Sequence, residues 1–161
     1  MKINKISLCE DMLLASARFY KNGTCDVDFA TSILLSGAVN EITEPLLKEF
    51  SIKTRRGHFS ELAAKLSKSE KSIEQKQKIH FALTKSVYNE IKHAGDHNGK
   101  VKPSEDLEIF ANLKDEAEWS LSFALNNFLA LPAPYVTQQK INHIYTDEFL
   151  DLFQTLRYEI G

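Results

Sequence analysis

The amino-acid sequence predicts an all-α protein, an antiparallel bundle of five to six helices with a HEPN-like arrangement discussed below. Apolar residues recur at three- and four-residue spacing through most of the chain, which is the periodicity of amphipathic helices. Only six glycines and four prolines interrupt this pattern in 161 residues. Short connections between such helices are typical of an antiparallel bundle. We therefore expect at least about 60% helix, against roughly one-third in an average globular protein.

Length and composition favour a single compact domain, residues 1–161. A chain of this size can bury roughly two-thirds of its extended surface on folding. The 43% hydrophobic and 26% charged residues exclude the composition of a disordered chain. No apolar run approaches the roughly 20 residues that span a bilayer, and Glu10 and Asp11 stand where a signal peptide would be apolar. We expect a soluble cytoplasmic protein with no membrane contact, in which Cys9 and Cys25 are small buried thiols.

The first two helices are predicted from their boundaries. One helix is expected from about Ser7 to Asn22, with Gly23 as its stop. A second helix begins near Asp26 or Asp28, whose carboxylates suit the positive end of a helix.

Two features inside the second helix carry further predictions. Pro45 predicts a kink or break within two residues, because its ring removes a backbone hydrogen bond and clashes with the preceding turn. Gly37 and Ala38 form a small-residue patch that permits the close approach of another helix. We use this patch to predict a symmetric homodimer, since a two-fold interface uses the same patch on both subunits.

The middle of the chain is basic. From Lys48 to Lys102 there are 13 Lys and Arg residues against 6 Asp and Glu, while the remainder of the chain is acidic. The basic and acidic segments either face each other in the fold or leave a basic face that attracts phosphate or an acidic partner. Within this basic segment we predict a connection at Thr54–Gly57, a short helix at about Ser60–Leu66 and a long helix at about Ser69–Ala94.

The last third of the chain predicts one loop and two helices. Glycine, proline and polar residues mark the loop at Gly95–Pro103. Ser104 is expected to cap a helix that runs to about Leu131, where Pro132 and Pro134 end it. A last helix begins after Thr146, and its apolar face is expected to contain Phe149, Leu152, Phe153 and Leu156.

Common catalytic signatures are missing. The sequence contains no glycine-rich phosphate loop, no His-Glu-x-x-His, no Gly-x-Ser-x-Gly and no pair of closely spaced cysteines. We therefore expect no metal and no cofactor, and a binding protein rather than an enzyme. His80 lies on an apolar stripe and is predicted to be a hydrogen-bonded core residue, whereas His58 is predicted to be exposed.

One polar segment is a candidate site. Asn89 and His93 are four residues apart and project from one helical face, with Lys92 further round the same helix. Asp96 directly follows Gly95, the glycine that is expected to end this helix. A proton-transferring histidine, a carboxylate and a cation for phosphate can therefore gather here. The alternative is a capping histidine that interacts with the negative end of the helix.

Glu41 and Glu44 of the second helix are expected to complete this cluster. Glu41 stands near a core-facing stripe, where a carboxylate is costly unless it is hydrogen-bonded or paired. Asn89 and His93 supply candidate donors from the neighbouring long helix. We predict a polar cluster of Glu41 or Glu44 with Asn89, Lys92 and His93.

The segment also carries a family resemblance. Asn89, Lys92, His93 and Asp96 form an Asn-x-x-Lys-His-Ala-x-Asp motif at the end of a predicted helix. This motif resembles that of a group of small bacterial all-helical proteins with an Asn-Phe-Phe-Lys-His-Ala-Asp type motif. Leu35–Ile42 is similar to the Ala-Gly-Ala-x-Glu-Ile of their second helix. Function in that group is not characterised.

A more distant resemblance is to the HEPN domains (higher eukaryote and prokaryote nucleotide-binding). These are helical bundles, usually dimeric, that are often ribonucleases or partners of toxin nucleotidyltransferases. Asn89 and His93 match their motif, but Tyr88 stands at the arginine position. Tyrosine lacks the cationic fork of arginine that would stabilise a phosphate.

The sequence leaves three functional hypotheses. The first is a non-enzymatic HEPN-like module that binds a small ligand, a nucleotide or RNA, or a protein partner, with Glu41, Asn89, Lys92, His93 and Asp96 as binding residues. The second is a metal-independent ribonuclease in which His93 transfers protons and Lys92, or Arg55 and Arg56, holds phosphate. The third is a purely structural homodimer.

Overall fold

The protein is an all-α bundle, as predicted. A computed structural model describes residues 3–93 and 106–132, together with residues 102, 151 and 154. Of this part of the chain 75% is helical and none is strand, which confirms the expected helix content for the described residues. The helices are α1 Lys5–Asn22, α2 Asp26–Glu49, α3 Arg55–Leu66, α4 Ile73–Leu83, α5 Ser86–Lys92 and α6 Leu113–Leu129. None of these helices combines the length and apolarity needed to span a membrane.

The beginning of α2 confirms the sequence prediction but corrects the expectation for one cysteine. The carboxylate of Asp28 accepts hydrogen bonds from the backbone N–H of Thr24 (2.9 Å) and of Cys25 (3.3 Å). These bonds and the thiol of Cys25 lower the pKa of Asp28. Cys25 therefore lies at the exposed start of α2, and only Cys9 is buried. Burial raises the pKa of the Cys9 thiol to about 11.

The predicted break at Pro45 does not occur, since α2 is continuous from Asp26 to Glu49, and the alternative of a kink stays a prediction. A proline inside a helix costs about 3 kcal/mol because one backbone hydrogen bond is lost. The helical turns on both sides of Pro45 are held in place by buried side chains. Thr43 and Leu47 are fully buried on either side, and the Thr43 hydroxyl donates to the Val39 carbonyl (2.9 Å). Burial of these flanks offsets the local cost.

Two further boundaries differ from the prediction. The expected connection Thr54–Gly57 is instead the first turn of α3, because the Thr54 hydroxyl accepts the Gly57 N–H (3.1 Å) and caps the helix. Likewise, α6 begins after Asn112, whose side chain accepts from two backbone N–H groups of the first turn. Residues 106–112 are not helical, and the predicted cap Ser104 lies outside the described residues.

The predicted long helix is divided into α4 and α5. The Thr84 hydroxyl donates to the Phe81 carbonyl (2.8 Å) and the Ser86 hydroxyl to the Leu83 carbonyl (2.9 Å). Such side-chain bonds compete with the helical pattern at this point. The division lets α4 pack on α3 while α5 packs on α2. Ala94, the loop Gly95–Pro103 apart from Lys102, and most of the predicted last helix lie outside the described residues, although Asp151 and Gln154 are helical.

The core lies where α1 and α6 pack on α2. Its largest apolar cluster joins these three helices, and a smaller cluster joins α2, α5 and α6 through Ile33, Val87, Tyr88 and Ala117. The fully buried members of the larger cluster are Cys9, Leu13, Ala17, Val39, Leu47, Leu121 and Ala124.

A line of buried and half-buried polar side chains crosses this core, and we call it the polar seam. The Ser36 hydroxyl donates to that of Ser120 (2.7 Å), and the Asn127 amide donates to the side-chain oxygen of Asn40 (2.8 Å). Two bonds extend the seam to other helices. Ser16 of α1 bonds to Ser32 of α2 (2.9 Å), and the Asn127 oxygen accepts the backbone N–H of Arg55 at the start of α3 (2.8 Å). The members of the seam are Ser16, Ser32, Ser36, Asn40, Ser120 and Asn127.

The small-residue patch on α2 is occupied within the chain. Gly37 is buried, and a methyl group at this position would collide with the ring of Tyr88 from α5. Gly37 therefore permits the close approach of α5, not of a second subunit. The homodimer stays a prediction, but Gly37 no longer supports it.

Replacing Asn127 is expected to destabilise the fold strongly. In Asn127→Leu the side chain keeps its size, but the Asn40 oxygen and the Arg55 N–H lose their partner. Each buried polar group left unsatisfied costs about 1–3 kcal/mol. Urea denaturation should therefore show a lower free energy of unfolding by about that amount or more.

The neighbouring Asn126 is the matched control for this variant. Its side chain is exposed and donates only to the Ser122 carbonyl of its own helix (2.8 Å). Asn126→Leu should change stability by about 0.5 kcal/mol or less. Equal losses in the two variants would contradict the assigned role of the polar seam.

Candidate functional site

Three aromatic rings cluster between α3 and α6 at the protein surface. Phe59 comes from α3, while Trp119 and Phe123 are one turn apart on α6. The three ring centroids are 5.7–5.9 Å from one another, and the rings are mutually tilted. This spacing is favourable for aromatic contacts. Nevertheless, Phe59 is 39% exposed and Trp119 is 53% exposed. The cluster therefore leaves much apolar ring surface open to solvent.

These rings form the common wall of two adjoining cavities. The inner cavity, about 290 Å³, extends toward α2, α4 and α5, where Tyr88, His80 and Glu116 also line it. The outer cavity, about 350 Å³, opens beside α3 and is lined also by Arg55 and His58. We call the three rings and the two cavities the aromatic cleft.

The position of the cleft follows from the faces of α6. Ala117, Leu121 and Ala124 turn toward the core and are fully buried. The neighbouring face consists of Glu116, Trp119, Ser120 and Phe123, at the i, i+3, i+4 and i+7 spacing of one helical stripe. This stripe lines the inner cavity. The sequence analysis missed it, although a stripe containing the single tryptophan and a glutamate is a usable signal.

Glu116 is the one carboxylate among the described residues that line the inner cavity. The pKa of Glu116 is raised by burial and by the nearby carboxylates Asp115 and Glu90. Neither Lys nor Arg is found among the described residues that line this cavity. His80 is half-buried on α4 and faces the cavity, so the prediction of a core histidine is wrong. Arg55 and His58 line the outer cavity instead, and His58 is exposed, as predicted.

The predicted polar cluster on α5 forms in part. The Lys92 amine lies 3.4 Å from both carboxylate oxygens of Glu41. The same amine lies 5.0 Å from the centroid of the Tyr88 ring. Tyr88, which stands at the arginine position of the HEPN motif, is buried against Gly37. Lys92 is therefore held by groups of its own chain.

The other predicted members have different surroundings. The backbone N–H of His93 donates to the Asn89 carbonyl (2.9 Å), and His93 follows the last residue of α5 with its side chain exposed. Glu44 faces Lys85 and Arg56 instead of Asn89 and His93. Asp96 lies outside the described residues.

Glu44 is the centre of an ion-pair network that the sequence analysis did not predict. Its carboxylate lies 3.0 Å from the Lys85 amine and 3.5 Å from Nε of Arg56. Arg56 is 1% exposed, and burial lowers its pKa while Glu44 opposes that shift. Arg56 therefore contacts the interior of the protein and not solvent. This corrects the hypothesis in which Arg55 and Arg56 together hold a phosphate.

The described residues contain no group of three His, Cys, Asp or Glu side chains close enough to hold a metal ion. Compared with models of protein families, with curated proteins and with solved structures, the chain gives no match. The resemblance to HEPN domains therefore stays a prediction. The geometry of the cleft is the main basis for a functional proposal.

Glu44 is expected to contribute far more to stability than Glu41, three residues before it. In Glu44→Gln the Arg56 guanidinium keeps its charge in a buried position without a counter-ion. Breaking a buried pair in this way costs about 3 kcal/mol. Glu41→Gln is the matched control, since its pair with Lys92 is exposed and worth about 0–1 kcal/mol. Similar free energies of unfolding for both variants in urea would refute the network.

Glu116→Gln is expected to stabilise the protein at neutral pH. A raised pKa means that the folded state prefers protonated Glu116, so its charge lowers stability as the pH rises through that pKa. The amide is always neutral and avoids this loss. The gain should disappear below about pH 4, where glutamate is protonated in the unfolded chain as well.

The check is the melting temperature of both proteins as a function of pH. Glu74 is the control, because the nearby Lys78 lowers its pKa. Glu74→Gln should therefore give no gain at neutral pH. If Glu116→Gln is no more stable than the unsubstituted protein at pH 7, the cleft does not disfavour the charged form of Glu116.

Proposed function

We propose that this protein is a non-enzymatic binding module and that the aromatic cleft is its site for a small organic ligand. The observation that carries the proposal is the exposed cluster of Phe59, Trp119 and Phe123 between two cavities. Ligand sites are typically concave and mostly apolar, with a few polar groups that orient the ligand. Glu116, His80 and Arg55 are such groups here.

The energetics favour occupation of the cleft. Burying apolar surface yields roughly 25 cal/mol per Å², and more than half of the Trp119 side chain contacts solvent. A ligand that covers this ring and Phe59 gains that energy without a rearrangement of the core. Both cavities are open before any ligand is present, so little ordering is required.

The ion pairs of the predicted α5 site support binding over catalysis. The ribonuclease hypothesis needs a cation for phosphate, but of its three candidates Lys92 is engaged by Glu41 and Tyr88 and Arg56 by Glu44. The third candidate, Arg55, lines the outer cavity of the aromatic cleft. That alternative, with His93 as the proton-transferring group, predicts RNA cleavage that is lost in His93→Ala. The helical bundle agrees with a HEPN-like relationship, and a homodimer in the cytoplasm remains part of the proposal.

The test uses the intrinsic fluorescence of Trp119, which is the only tryptophan of the chain. We expect a saturable change in its emission on titration with at least one of three probe classes, namely alkylammonium compounds, mononucleotides and aromatic carboxylates. Phe59→Leu should weaken the affinity by about fivefold or more, because the stacking partner of the ligand is lost.

Phe50 supplies the matched control. Its ring is 43% exposed, similar to that of Phe59, but it follows α2 and does not line either cavity. Phe50→Leu should leave the fluorescence titration unchanged. If all three classes leave Trp119 emission unaltered at millimolar concentration, the aromatic cleft is not a ligand site and the proposal fails.

A further inference from the structure

We propose that the inner cavity of the aromatic cleft recognises an organic cation, a small alkylated ammonium group. This inference rests on the proposed binding function and specifies the chemical class of its ligand. It is argued from the rings, the carboxylate and the charges that surround the cavity.

Four aromatic rings line the inner cavity: Phe59, Tyr88, Trp119 and Phe123. The face of an aromatic ring carries partial negative charge and attracts a cation placed over it. Aromatic-lined cavities are the usual sites for quaternary ammonium groups, because these ions are weakly hydrated and make no strong hydrogen bonds. The other apolar lining residues, Ile33 and Leu83, suit the methyl groups of such an ion.

Glu116 provides the charge complement. It is half-buried at the wall of this cavity, and it makes no hydrogen bond or ion pair through its side chain with any described residue. Asp115 and Glu90 add negative potential nearby, which also raises the pKa of Glu116. A bound cation supplies a counter-ion that the described residues do not give this carboxylate, so binding is favoured by charge as well as by contact area.

The distribution of positive charge separates this cavity from an anion site. Arg55 and His58 line the outer cavity, while the described residues around the inner cavity include only His80 as a basic side chain. A phosphate in the inner cavity would face Glu116 without an arginine or a lysine. The volume of about 290 Å³ also favours a small ligand, since ligand sites are roughly 300–1,000 Å³.

The test compares choline with 3,3-dimethyl-1-butanol, which replaces the quaternary nitrogen by carbon and is otherwise the same shape. Titrations followed by Trp119 fluorescence and by calorimetry should give about tenfold weaker binding of the neutral compound, which lies between the cation–π contributions of exposed and of desolvated sites. This comparison uses the unsubstituted protein, so it does not depend on the folding of a variant.

A pair of variants on α6 tests the carboxylate. Glu116→Gln should weaken choline binding by about tenfold but leave the affinity for 3,3-dimethyl-1-butanol within about twofold. Glu118→Gln is the matched control, because Glu118 lines only the outer cavity and accepts a hydrogen bond from the Tyr20 hydroxyl (2.9 Å). Its affinity for choline should remain within about twofold.

The outcomes separate this inference from the proposed function. Equal affinity for choline and the neutral compound would overturn the cation proposal and leave the cleft as an apolar binding site. Binding of adenosine monophosphate without binding of choline would overturn it in the same way. If choline, the neutral compound, the nucleotide and an aromatic carboxylate all leave Trp119 unaffected, both proposals fail.

Discussion

The polar seam between α2 and α6 is the interaction on which the remaining structure depends. Apolar side chains tolerate a shift of one helix along another, but buried hydroxyls and amides do not, because each loses its partner. Ser36 meets Ser120, and two turns further along α6, Asn127 meets Asn40. These two contacts fix both the register and the rotation of α6 on α2. That rotation turns Trp119 and Glu116 toward α3 and α4.

The same seam also fixes the opposite wall of the cleft. The side-chain oxygen of Asn127 accepts the first backbone N–H of α3, so this helix begins at a defined point beside α6. One residue later Arg56 reaches Glu44 of α2. Phe59 follows one turn beyond Arg55 and contacts the rings of α6. Both walls of the cleft are thus positioned by buried polar contacts, and the aromatic rings do not have to hold the helices together.

The sequence predicted the helical class and the starts of the first two helices because capping residues and apolar spacing act locally. It did not predict the division at Thr84, since the apolar stripe continues across that point and the turn depends on packing against two different helices. The cleft was missed for a related reason. Phe59 belongs to a different helix from Trp119 and Phe123, and only the tertiary arrangement brings the three rings together and leaves Phe59 and Trp119 partly open to solvent. The contact of Lys92 with Glu41 was predicted from the assumption that Glu41 stands near the core, but the contact forms between two exposed side chains, so this reason was wrong.

The charge asymmetry of the chain connects the fold with the proposed ligand. Three cations of the basic segment, Arg56, Lys85 and Lys92, pair with acidic side chains of α2. Basic and acidic segments therefore face each other across these contacts, as one of the two interpretations of the sequence predicted. Glu116 belongs to the acidic part of the chain as well, but among the described residues no basic side chain forms an ion pair with it. Because the described basic residues around its cavity are limited to His80, the organic cation that we propose as ligand would supply a counter-ion for this carboxylate.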